Sequence, residues 1–272
     1  MTTTQQINAG ENPDLANSLV NQALAEQEVP IAPASIIPPF DNSVVLPSGY
    51  IGPDGKLHTV AEVRELNGMD EEAMSKVDTL VRLWSVILSR GVVSIGGVPA
   101  SEEMLDKLLI GDREALVLAV YKATFGLTSN IDSYCTGCKE YKTVALDLNN
   151  DIKVKTLVNH ATDRTFEVYG KKSKYLVTLP NGLAQKEMGA DPNKTDAELK
   201  TSLLEHCVLE IDDQPIISKL QIKAIGIADR TTIVDSIAER NPGPQFDDLR
   251  IDCPDCGGKV VVPVTLGTIF RY

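Results

Sequence analysis

The chain has 272 residues, 43% of them apolar, and a formal charge of -12. That is enough apolar material for one large core or two moderate ones, which excludes wholesale disorder. The acidic balance argues against general nucleic-acid binding, because phosphate contact needs clustered cations. The one tight basic cluster, Lys171-Lys172-Ser173-Lys174, reads as the tip of a hairpin.

Residues 1–40 contain no Lys or Arg and carry prolines at Pro30, Pro33, Pro38 and Pro39. They are expected to form a flexible N-terminal arm. Leu15, Leu19, Val20 and Leu24 recur at helical spacing, so the arm is either solvated or forms a short helix against a partner. No apolar run reaches the ~20 residues of a membrane span and no charged-then-apolar leader opens the chain, so a reducing cytosol is the expected place of folding.

Residues 43–66 read as extended, with a turn at Gly52-Pro53-Asp54-Gly55. Asp70-Glu71-Glu72 opens one helical pattern through Met74, Val77, Leu80, Val81, Trp84, Ile87 and Leu88, ended by Gly91. Val92 to Pro99 is an edge strand or loop. A helix follows from Asp112, taken as its N-cap, to Phe125, with Gly126 as terminator. Strands are expected at Phe166 to Tyr169 and Tyr175 to Thr178, with His58 and His160 also in strands. Further helices are expected over about Thr195 to Cys207 and Asp229 to Arg240.

Several of these landmarks recur. Pro99 and Pro215 are 116 positions apart, Asp112-Arg113 and Asp229-Arg230 are 117 apart, and the pairs Cys135/Cys138 and Cys253/Cys256 are 118 apart. At the 117 spacing, Leu116, Val117 and Val120 align with Ile233, Val234 and Ile237, so both helices present the same apolar face. The segment around Val44-Val45-Leu46-Pro47 is matched with Val177-Thr178-Leu179-Pro180, at an offset of 133. That match implies about sixteen extra residues in the first copy. The expected fold is α+β: tandem duplicated helix-plus-small-sheet units over 41–150 and 151–272, joined by a shared four-cysteine site of zinc-ribbon type.

Each Cys-x-x-Cys precedes a β-prone run, Thr143 to Leu146 and Val260 to Val264, which is how zinc ribbons present thiolates. Two related pairs supply the four soft ligands that a tetrahedral Zn2+ ion takes. The candidate metal ligands are therefore Cys135, Cys138, Cys253 and Cys256. Two other readings stay open: reduced pairs without metal, and redox-active dithiols, although neither pair opens a helix as a thioredoxin-like motif does. Cys207 lies on an apolar stripe and reads as a buried free thiol. His58, His160 and His206 are scattered, and the chain has no nucleophile elbow, metalloprotease motif, phosphate-binding glycine loop or kinase signature. No catalytic residue is assigned, and the chain is not read as an enzyme.

The order of certain motifs resembles the baseplate hub and tail-assembly proteins of T-even-type contractile-tailed bacteriophages. The motifs are Val45-Leu46-Pro47-Ser48-Gly49, Val63 to Leu66, Met69-Asp70-Glu71-Glu72, Asp112-Arg113, Phe125-Gly126, and Cys135/Cys138 leading to Leu146-Asp147-Leu148. They cover about residues 43–150, with a degenerate second pass over about 175–270. The resemblance implies a structural or morphogenetic protein of the virion tail baseplate, assembled in the host cytoplasm. Its partners would be other phage tail and baseplate proteins in a multimeric assembly, with no nucleic acid or membrane. A zinc-ribbon nucleic-acid-binding or transcription factor is the alternative, and an enzyme with a metal-bound water is a more distant one.

Overall fold

The computed structural model describes residues 42–253 and 255–270, together with Asp14, Asn17 and Ser18. The chain divides into two compact units, Met1–Pro39 and Phe40–Tyr272, and the second carries all that follows. The expected arm, with its Leu15, Leu19, Val20 and Leu24 face, lies outside the described residues.

The first half begins with the antiparallel hairpin β1 (Ser43–Ile51) and β2 (Leu57–Val63), closed by the expected Gly52 to Gly55 turn. Helices α1 (Gly68–Met74) and α2 (Leu80–Gly91) follow, then the hairpin β3 (Val92–Ile95) and β4 (Val98–Pro99). Next come α3 (Glu102–Lys107), α4 (Ile110–Phe125), and the hairpin β5 (Thr128–Cys135) and β6 (Glu140–Asp147). A short strand, β7 (Lys153–Lys155), leads out of it.

The second half runs through a similar order as far as its second long helix. Hairpin β8 (Thr165–Tyr169) and β9 (Lys174–Thr178) is followed by α5 (Gly182–Met188) and α6 (Asp196–Cys207). Then come hairpin β10 (Val208–Ile211) and β11 (Gln214–Pro215), α7 (Lys219–Ala224) and α8 (Ile227–Arg240). Strand β12 (Gly243–Gln245) pairs back with β7, and the chain ends in hairpin β13 (Leu249–Asp252) and β14 (Lys259–Val262) and α9 (Leu266–Phe270). The two four-stranded sheets have corresponding orders, β1-β2-β3-β4 and β8-β9-β10-β11.

Helix starts make the correspondence sharper. Asn67, Thr79 and Ser101 cap α1, α2 and α3 with their side chains, and Asn181, Thr195 and Ser218 do the same for α5, α6 and α7. Each accepts a backbone N–H that the first turn leaves without an intrahelical partner. The β3–β4 turn is made by Gly96 and Gly97, both left-handed, and the β10–β11 turn by Asp212 and Asp213, also left-handed.

Four expectations are corrected. The pattern from Asp70 to Leu88 is two helices, because Thr79 caps a new one and residues 75–79 turn the chain between them. Asp112 is not an N-cap: α4 starts at Ile110 after Leu109, which makes no side-chain cap, and the Asp112 carboxylate is used elsewhere. His160 lies in a turn, not a strand. Finally, β9 is the second strand of its sheet whereas Leu46 lies in the first, so the 133 offset pairs unlike strands. Val63 faces Val92 as Val177 faces Val208, and the interval from strand to long helix is nearly equal in the two halves.

Two main cores follow. The first half buries Leu46, Leu83, Ile87, Ile95, Leu116 and Val120, and this core continues into Val260, Val262 and Ile269 of the C-terminal hairpin and helix. The second half has its own core around Val177, Leu204, Ile222, Ile233 and Ile237. Thus β13–β14 belongs by chain order to the second half but packs on the first. That placement brings the cysteines together.

Candidate metal centre

Cys135 ends β5 and Cys138 lies in the turn to β6; Cys253 and Cys256 stand correspondingly between β13 and β14. The two turns are built alike. The N–H of Lys139 donates to the Cys135 carbonyl at 2.9 Å, and that of Gly257 donates to the Cys253 carbonyl at 2.9 Å. The residue after each second cysteine is left-handed, Lys139 at φ 59° and Gly257 at φ 66°. These bonds fold each Cys-x-x-Cys so that both sulfurs face the same way.

The sulfurs of all four cysteines lie within 4.8 Å of one another. The shortest approaches join the hairpins: Cys135 Sγ to Cys256 Sγ at 3.6 Å and Cys138 Sγ to Cys253 Sγ at 3.8 Å. Four thiolates bound tetrahedrally at ~2.3 Å would stand about 3.8 Å apart, so the set fits a small tetrahedral ion. Cys135 and Cys253 are buried, Cys138 is half-buried and Cys256 is exposed.

The surroundings leave the sulfurs their space. A Cβ on Gly137 would come within 2.8 Å of Cys256 Sγ, and one on Gly258 within 3.3 Å. Backbone N–H donation from Cys138 draws the Cys135 thiol down to about 6, so one member of the set is readily a thiolate. Burial and the neighbouring sulfurs push Cys138 up to about 12. Lys142 ties the hairpins together beside the cluster, with its ammonium paired to both Glu140 and Asp255. Together the four sulfurs can hold one metal ion.

The other sequence candidates stay apart from this site. Cys207 is fully buried in the second core, and that burial pushes its thiol up to about 12. His206 Nε2 lies 2.7 Å from Glu187, His160 Nδ1 lies 2.9 Å from the Ser48 carbonyl, and His58 stacks on Tyr50. Sequence reasoning missed the strand β13 and the cross-hairpin lysine. The short run Leu249–Asp252 alternates too briefly to stand out, and the partner of Lys142 is distant in sequence.

The family of T4 bacteriophage base plate proteins matches residues 97–271. No curated protein and no solved structure gives a significant match. The matched span contains both cysteine pairs, both Asp-Arg helices and the second half up to residue 271. The motifs from Val45 to Glu72 that suggested the resemblance lie outside it. The chain belongs to the T4 bacteriophage base plate protein family.

Proposed function

We propose that this chain is a structural or morphogenetic protein of a contractile phage tail baseplate, a hub component or assembly factor, acting through protein–protein contacts and not by catalysis. The observation that carries the reading is the family match, which spans both cysteine pairs. In this reading the protein assembles in the host cytoplasm with other tail proteins and is found in the virion baseplate. The N-terminal 40 residues serve as a docking arm onto a neighbouring tail protein.

The four thiolates hold one structural Zn2+. Zinc suits a closed set of four sulfurs, and closing the set joins two hairpins more than a hundred residues apart in sequence. With all four positions filled by protein, such an ion offers no site for a reacting water. The two halves, 41–150 and 151–272, are tandem copies of one unit. The matched sheet orders and the repeated Asn, Thr and Ser caps support that reading.

Affinity isolation of the tagged chain from infected cells, followed by mass spectrometry, tests the proposal. Tail and baseplate proteins are expected to co-purify. Recovery of nucleic acid alone would refute it.

A further inference from the structure

The two halves meet head to tail. The corner before α4 docks on the corner before α5: Leu109 bridges Asn181, the Ile110 N–H donates to the Pro180 carbonyl at 3.0 Å, and the Gly182 N–H donates to the Leu108 carbonyl at 3.0 Å. Polar contacts flank this junction. Arg113 Nε donates to Gln185 Oε1 at 2.7 Å, and Lys186 Nζ lies 2.8 Å from both Glu102 and Asp106. Gly111 has no room for a side chain because the Pro242 carbonyl lies over it. One surface therefore comes from α3 and the start of α4, and the other from the start of α5 and the end of α8.

Each surface has a counterpart in the other half: one is exposed, and the other is open but walled on one side by α9. The counterpart of the α3–α4 corner is the α7–α8 corner, where Ile227 is 84% exposed. The counterpart of the α5–α8 surface lies at the start of α1 and the end of α4. There a groove of about 570 Å3 opens between Leu66, Gly68, Glu71 and Phe125, with Ile269 and Phe270 of α9 along one wall. The groove matches in place the one that Leu109 to Gly111 fill within the chain, but Gly111 is matched by Ala228, so a corner seated there stands farther out by the width of a methyl group.

The charges at the counterpart positions complement each other with sign reversed. Lys186 corresponds to Glu72, and its acidic partners Glu102 and Asp106 correspond to Lys219 and Lys223. Gln185 corresponds to Glu71, and Arg113 to Arg230, although Arg230 donates to Thr201 at 2.6 Å within its own half. Glu71, Glu72, Lys219 and Lys223 are all exposed, and Lys219 makes a pair with Glu205 at 2.9 Å. The contact that is basic-on-acidic within the chain becomes acidic-on-basic between the two free faces.

We propose that a second copy of this chain docks at these faces: the α7–α8 corner of one copy seats in the α1–α4 groove of the next, with Glu71 and Glu72 facing Lys219 and Lys223. Such a contact is heterologous, so repeating it builds a ring or a filament and not a closed two-fold dimer. The inference rests on the tandem-repeat reading above and is independent of the metal. Superposing the halves in an experimental structure tests that reading separately.

Sedimentation velocity of the purified full chain over a concentration series tests the docking. The chain is expected to self-associate. Glu71→Lys with Glu72→Lys, and separately Lys219→Glu with Lys223→Glu, should each give a monomer, since like charges then face each other. An equimolar mixture of the two variants should associate again, because each supplies the face the other complements. Any of four results would overturn the proposal: a wild-type chain that stays monomeric at millimolar concentration; variants that associate like the wild type; a mixture that fails to restore association; or association lost only when residues 1–39 are removed, which would assign the groove to the arm.

Discussion

Asp112 and Asp229 occupy the same place, the third residue of a long helix, and each carboxylate reaches the first hairpin of its own half. Asp112 Oδ1 accepts the Ser48 N–H at 2.8 Å and its other oxygen accepts the Ser48 hydroxyl. Asp229 accepts the Lys171 N–H at 2.7 Å and the Tyr175 hydroxyl at 2.8 Å. In each half this one side chain fixes helix to sheet. The two environments nevertheless act on the carboxyls in opposite directions.

Burial dominates at Asp112 and raises its pKa, whereas the Lys171 N–H dominates at Asp229 and lowers it. Asp229 therefore contributes stability that is present above its unfolded value and lost as pH falls through the folded one. Asp112 behaves oppositely: as pH rises from its unfolded value through the raised folded one, ionisation in the core costs stability. Urea denaturation across pH should show Asp229→Asn flattening the acid limb and Asp112→Asn reducing the loss on the rising side. Slopes of the same sign for both would refute this assignment. Asp112→Ala strands the Ser48 donors in the core and should cost on the order of 3 kcal/mol.

Glu114, half-buried on α4, has its carboxyl pushed up to about 7 by burial, from an ordinary 4.5. A raised acid pKa means the folded chain binds more protons than the unfolded one between those values, so stability falls as pH rises through that window. Glu114→Gln should abolish this loss and stabilise the protein at pH 8 by roughly 1–3 kcal/mol. Equal stability of the two chains at pH 8 would count against it.

Lys139 and Gly257 hold matching left-handed positions, but only one is glycine. A side chain there is strained by ~1–2 kcal/mol, partly offset by the greater freedom of glycine in the unfolded chain. Lys139→Gly should therefore stabilise by about 0.5–1 kcal/mol, and Gly257→Lys should destabilise by at least as much. Thermal melts of both variants decide it, and a loss on Lys139→Gly would contradict the turn geometry.

The cysteines, the Asp-Arg pairs and Pro99/Pro215 were legible in the sequence because each is fixed by chemistry or backbone conformation that few other residues supply. The strand correspondence was not. Val44 to Pro47 and Val177 to Pro180 are both apolar runs ending in Leu-Pro, but the first lies in an outer strand and the second ends an inner one. Only hydrogen-bond register separates them. The Asn67-Gly68 and Asn181-Gly182 helix starts would have paired strands of like position in the two sheets, since both are caps followed by a residue without a side chain. The break between α1 and α2 was hidden because Met74, Val77 and Leu80 keep a helical spacing across it. The meeting of the hairpins depends on β14 packing against the first core, a tertiary choice that local pattern does not encode.

Cys207→Ser should leave the metal site intact while burying a hydroxyl among Leu204, Val208 and Ile233. The expected cost is about 1–3 kcal/mol by chemical denaturation, with metal content unchanged. A drop in bound metal would mean that the second core and the cysteine cluster are coupled.

Metal content of the purified full chain tests the central claim most directly. Elemental analysis under reducing, metal-replete conditions should give one zinc per chain, lost on changing any one of Cys135, Cys138, Cys253 or Cys256 to serine and retained in Cys207→Ser. A stoichiometry near zero in the unaltered protein would contradict a shared four-thiolate site.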